Sequence, residues 1–64
     1  MKKEEILNYS NKKVSEEVLE KIEESECVEM LENCGYSGTY VDCIWYTITF
    51  TDKDEISVYH KTEN

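Results

Sequence analysis

In the first half of this chain the apolar residues recur at helical spacing, and from Thr39 onward they alternate with polar ones. Ile6 and Leu7 lie in a run from Lys3 to Tyr9 that predicts a short first helix with both side chains facing inward, ended by Ser10 and Asn11. Ser15 is well placed to cap a second helix. Glu16 and Glu17 follow it against the positive end of the helix dipole, and Val14 can staple against Val18 or Leu19. Gly35, after Asn33 and Cys34, is the expected helical stop.

Between these limits the segment EEVLEKIEESECVEMLENC does not keep one phase. At 100° per residue, Val18, Leu19 and Ile22 share one side through Glu24, with Glu16, Glu17, Glu20, Glu23 and Glu24 on the other. After Ser25 the stripe inverts by roughly 150°. Cys27, Met30, Leu31 and Cys34 then point where the glutamates were, and Glu26, Glu29 and Glu32 where the apolar residues were. Either the chain breaks near Ser25, which could cap a second short piece, or one continuous helix shows its two halves to two partners. The break is the preferred reading, because it keeps every apolar residue in one small core.

From Thr39 to Phe50, Tyr40, Ile44, Tyr46, Ile48 and Phe50 fall on one face, interrupted by Asp42, and Val41, Cys43, Trp45, Thr47 and Thr49 on the other. Thr51 to Asp54 has turn chemistry, and Ile56 and Val58 resume the even phase. An odd-length loop sets Phe50 opposite Ile56, Ile48 opposite Val58, Trp45 roughly opposite Lys61 and near Tyr59, and His60 beside Tyr46. The expected fold is α+β: two or three short helices followed by an antiparallel β-hairpin, its even face on the helices. A break near Asp42 and Cys43 would split the first strand and make three.

Sixty-four residues make a single small domain, 1–64, with stability at the low end of the usual range. An apolar content of 39% is too high for a wholly disordered chain, even at a net charge of -8. The opening MKKEEIL has no apolar run behind its lysines, so it does not read as a signal peptide, and no stretch approaches the roughly 20 apolar residues of a membrane span. A cytoplasmic location with reduced cysteines is expected. Arginine, alanine, glutamine and proline are absent, the residue usage of an AT-rich genome such as that of a Gram-positive bacterium or its phage.

Charge is segregated. Residues 1–13 carry four lysines against two glutamates and form a basic segment expected to be loosely ordered, whereas residues 14–34 carry one lysine against eight glutamates. Such an acidic surface repels nucleic acid and anionic membrane, and attracts a basic surface on another protein. The first reading of these glutamates is an ordinary solvated helix face, since glutamate is a good helix former and acid promotes solubility. The functional reading is that Glu16, Glu17, Glu20, Glu23 and Glu24 imitate a nucleic-acid backbone, with Glu26, Glu29 and Glu32 joining only if a bend realigns them.

Trp45, Tyr59 and Val41 would form an exposed strip if the even face is the core, and exposed aromatics commonly anchor protein interfaces. Cys27, Cys34, Cys43 and His60 have the ligand count of a Cys3His zinc site but not its spacing, and read first as small apolar side chains and a partly exposed strand histidine. No oxyanion loop or third orienting group accompanies His60. Gly35 and Gly38 do not make a phosphate loop, and Asp52 to Glu55 lacks the glycine of a calcium loop. The sequence therefore points to a non-enzymatic, cofactor-free acidic protein that blocks a basic, nucleic-acid-binding site on a partner protein, as phage inhibitors and anti-defence proteins do. A small structural or regulatory homo-oligomer, joined through the strip or through the face bearing Met30, is the alternative, and a Cys3His metal module a remote one.

Overall fold

The helix expected after Ser15 forms, and it stops where the apolar stripe inverts. In a computed structural model, which describes residues 1–61, the chain forms α1 (Lys3–Leu7), α2 (Glu16–Glu23), β1 (Val28–Tyr36), β2 (Cys43–Phe50) and β3 (Glu55–Lys61). The three strands make one antiparallel sheet in the order β1-β2-β3. The expected α+β fold is thus present.

Ser15 caps α2 by accepting a hydrogen bond from the Val18 amide at 3.2 Å, and Val14 is buried beside Leu19. At the other end the Ser25 hydroxyl donates to the Lys21 carbonyl at 2.7 Å and accepts from the Met1 amine at 3.0 Å. Ser25 is therefore a buried junction between α2 and the start of the chain, and not the cap of another helix. In α1 only Ile6 is buried; Leu7, expected to face inward, is 42% exposed. Consecutive helical side chains point about 100° apart, and this single turn meets the core on the side of Ile6.

The second helical piece expected up to Cys34 is instead β1. Two register shifts, between Val28 and Met30 and between Asn33 and Tyr36, bulge this strand against β2. Its pairs Val28–Phe50, Leu31–Ile48 and Tyr36–Ile44 are consequently spaced by three or more residues along β1 but by two or four along β2. A bulge inserts a residue and so turns the i, i+2 period of a strand into the i, i+3 of a helix. Gly35 has φ +93 within the second bulge, so its required left-handed freedom belongs to a strand and not to a helix end.

The β2–β3 hairpin keeps the expected parity but shifts by two: Ile48 faces Ile56, Tyr46 faces Val58, Trp45 faces Tyr59, Ile44 faces His60 and Cys43 faces Lys61. The loop centres on Asp52, whose carboxylate accepts from the Asp54 amide at 3.1 Å, with Lys53 at φ +77. Beyond β3 the chain just before α2 lies parallel to it. Asn11 N–H donates to the Ser57 carbonyl, Tyr59 N–H to Lys12 and Val14 N–H to Tyr59, at 2.7, 3.0 and 2.6 Å.

The core lies between the helices and the even sheet face, where Ile6, Val14, Leu19, Ile22, Ile48, Phe50 and Val58 are buried together. Each such side chain contributes about 1.5–3 kcal/mol of transfer free energy. Both described helices pack on this even face, and among the described residues no helix packs on the odd one.

Candidate partner-binding surfaces

With Leu19 and Ile22 in the core, the helical period turns the remaining positions of α2 outward. Glu16, Glu17, Glu20, Glu23 and the C-cap residue Glu24 are all exposed. Lys21 reaches Glu17 at 3.4 Å, and among the described residues no basic side chain lies within ion-pair distance of Glu16, Glu20, Glu23 or Glu24. Glu16, Glu20 and Glu24 are successive i+4 positions, about 6 Å apart in rise.

Three other lysines are engaged elsewhere. Lys3 joins Asp52 and Asp54 at 2.5 and 2.6 Å and lies 5.2 Å over the Phe50 ring, clipping α1 to the β2–β3 turn. Its hydrogen bond holds the Asp52 carboxyl below the usual carboxylate range, and the two aspartates in turn raise the Lys3 ammonium. Lys53 joins Glu29 at 3.0 Å, and Lys13 lies 5.1 Å over the Tyr40 ring.

Trp45 and Tyr59 face each other on the odd side of the sheet, across the molecule from α2. The structure therefore does not bring the five glutamates and the two aromatic residues into one site. The expected strip is also smaller than the sequence suggests. Tyr59 packs edge-on against Tyr40, with ring centroids 4.7 Å apart, and Tyr40 is fixed by a hydrogen bond from its hydroxyl to the Asn11 carbonyl at 3.1 Å. Val41 is 85% exposed in the loop before β2 and lies outside the sheet, which leaves Trp45, 39% exposed, as the aromatic anchor.

Residues that periodicity assigns to a helix share this outer face. Met30 pairs with Thr49 and is 50% exposed; Glu32 pairs with Thr47, and the Cys34 thiol is 3.3 Å from the Thr47 hydroxyl. The helical reading of residues 26–34 sets Met30 and Cys34 on one apolar face with Leu31 and puts Glu32 opposite, whereas the strand separates Leu31, paired with Ile48, from the other three. Glu26, Glu29 and Glu32 lie along the turn and β1, so the change of direction at Ser25 does not return them to the row on α2.

The possible zinc ligands do not converge. Cys43 is buried, Cys34 is exposed on the outer face, Cys27 is half-buried against the Met1 carbonyl, and His60 Nδ1 is 2.9 Å from the Val14 carbonyl. Among the described residues no group of three or more His, Cys, Asp or Glu is arranged to hold a metal ion, and all three cysteines are free. An open cleft of about 560 Å³ between α1 and the α2–β1 turn is lined by Lys2, Lys3, Glu5, Glu24 and Glu26 among others. Its mixed charges favour neither an acidic nor a basic ligand. No described helix is long and apolar enough to cross a membrane.

No family model, no curated protein and no solved structure matches this chain.

Proposed function

We propose that this protein is a non-enzymatic acidic inhibitor that occupies a basic, nucleic-acid-binding site on a partner protein, with the carboxylates of α2 standing in for phosphates. The observation that carries this reading is the row Glu16, Glu20, Glu24, flanked by Glu23, on a helix fixed at one end by Ser15 and at the other by Ser25. Holding like charges side by side costs about 0.2–0.5 kcal/mol per pair in an isolated helix, and a basic groove would offset that cost on binding. A phage or anti-defence protein directed at a host nucleic-acid enzyme is the biological setting that fits.

Charge density favours a single strand as the ligand imitated. Residues 16–24 carry five glutamates against Lys21 over eight helical steps, about 12 Å, or one net charge per about 3 Å. One strand of DNA carries a charge per about 3.4 Å and the duplex one per about 1.7 Å.

The test is capture of partners from a bacterial lysate by the immobilised protein, at low and high salt, with elution by single-stranded DNA. Capture should weaken steeply with salt, yield to the DNA, and be lost when Glu16, Glu20, Glu23 and Glu24 become glutamine. A partner retained equally by that variant refutes the mimicry.

A further inference from the structure

The sheet has two edges, and they are treated differently. The outer edge of β3 is covered by residues 11–14 through three backbone hydrogen bonds. The outer edge of β1 pairs with no strand among the described residues. Between its two bulges β1 keeps unbroken register from Met30 to Asn33, four residues or about 13 Å of regular strand with one edge unoccupied. The bulges turn the flanking backbone out of line and confine any added strand to this run.

We propose that this free edge of β1, between its bulges, with Glu32 in the run and Glu29 just before it, takes an extended lysine- or arginine-bearing segment of another protein as a further strand. It is a surface separate from the glutamate row of α2 and does not rest on the reading of that row.

Charge selects the occupant. Glu32 lies within this run and Glu29 immediately before it, and among the described residues the one ion pair these two make is that of Glu29 with Lys53. Two copies of β1 laid edge to edge would bring their Glu32 carboxylates into one short ladder, with Glu29 beside it, on chains that each carry -8, and like charges placed across a strand pair oppose pairing. An alternating basic strand turns the same positions into opposite-charge pairs, so the edge that rejects its own copy accepts a basic one. Its backbone ladder would supply affinity and its lysines or arginines the specificity. Met30, half exposed and flexible at the thioether, offers an adaptable apolar contact for a residue between the basic ones.

The probe is a labelled octapeptide of alternating lysine and threonine, titrated into the isotope-labelled protein and followed by amide shifts and hydrogen exchange. Its control has proline in place of threonine, which keeps the charge and removes alternate ladder donors. The threonine peptide should shift and protect amides within residues 28–36, and bind at least about tenfold more tightly than the proline peptide, the effect of losing one or two ladder bonds. Glu29→Lys with Glu32→Lys should abolish this preference, whereas glutamine at 16, 20, 23 and 24 should leave it intact. Equal binding of the two peptides, shifts confined to α2, no response at millimolar peptide, or β1 protection that grows with protein concentration alone each overturns the proposal. The last outcome would identify a second copy as the occupant.

Discussion

Replacing Gly35 by alanine in each of its two mirror forms isolates what the second bulge of β1 demands of the backbone. Gly35 sits at φ +93, and a Cβ added there would meet no atom within 4 Å, so the change carries a conformational cost and no packing cost. An L-residue at positive φ loses about 1–2 kcal/mol. Part of this is offset, by about 0.4–1 kcal/mol, because alanine restricts the unfolded chain. Gly35→Ala should therefore destabilise by roughly 1 kcal/mol. The D-enantiomer prefers positive φ, so it keeps the entropic gain without the strain and should stabilise by about 0.4–1 kcal/mol. Chemical synthesis gives access to both variants in a 64-residue chain. Urea unfolding can be followed by the fluorescence of Trp45, the only tryptophan, which lies on β2 in the register gap opposite the bulge. With a urea dependence near 1 kcal/mol/M for so small a domain, the two midpoints should differ by about 1–2 M. Equal midpoints would show that Gly35 is not held at positive φ, and would remove the bulge on which the strand assignment of residues 28–36 depends. A loss of stability in both variants would show an unrecognised group packed over the glycine.

Three further outcomes follow from the packing and the charges. Ile22→Ala empties a fully buried position in the cluster that also holds Phe50 and Ile48 and should cost about 2–5 kcal/mol, enough to leave the domain largely unfolded by circular dichroism at room temperature. Lys3→Gln should lower stability by an amount that depends on pH. Asp52 titrates below its ordinary value of 3.8 when folded, so the clip's contribution is present above that value and is lost as the pH falls through the folded pKa. Lys3 titrates above 10.5, so its contribution is lost again as the pH rises through its folded pKa; the difference between wild type and variant should be constant between these limits and close outside them in urea titrations. Glu20→Gln removes repulsion from Glu16, Glu17, Glu23 and Glu24 and should raise stability by roughly 0.5–1 kcal/mol at low salt, a gain that shrinks at about 0.5 M NaCl; an equal gain at both salts would contradict it.

Much of this structure is written in local sequence. Ser15 and its following glutamates specify where α2 begins, and the inversion of phase at Ser25 specifies where it ends, because capping and amphipathic period act within a few residues. Alternation from Cys43 to Phe50 and from Ile56 to His60 specifies two strands with their even residues inward, since parity survives any odd loop. The exposure of Glu16, Glu17, Glu20, Glu23 and Glu24 follows from that same helical period. None of these needs knowledge of what lies across the core.

Residues 28–36 are the case that local pattern could not decide. Cys27, Met30, Leu31 and Cys34 have the spacing of a helix face, and two bulges give a strand the same spacing. The choice falls to the tertiary structure, because β2 and β3 alone would form a two-stranded hairpin of marginal stability and β1 supplies the third strand. That choice also sends Met30, Glu32 and Cys34 to the outer face beside Trp45 and leaves the β1 edge open. The two-residue shift of the hairpin depends on the side chain of Asp52 and the left-handed Lys53, details of one turn that parity cannot register. Sequence alone thus determined which residues are acidic, which are helical after Ser15 and which sheet positions face inward. The fold decided that the glutamate row and Trp45 stand on opposite sides, because layers are assigned by long-range packing and not by neighbours along the chain.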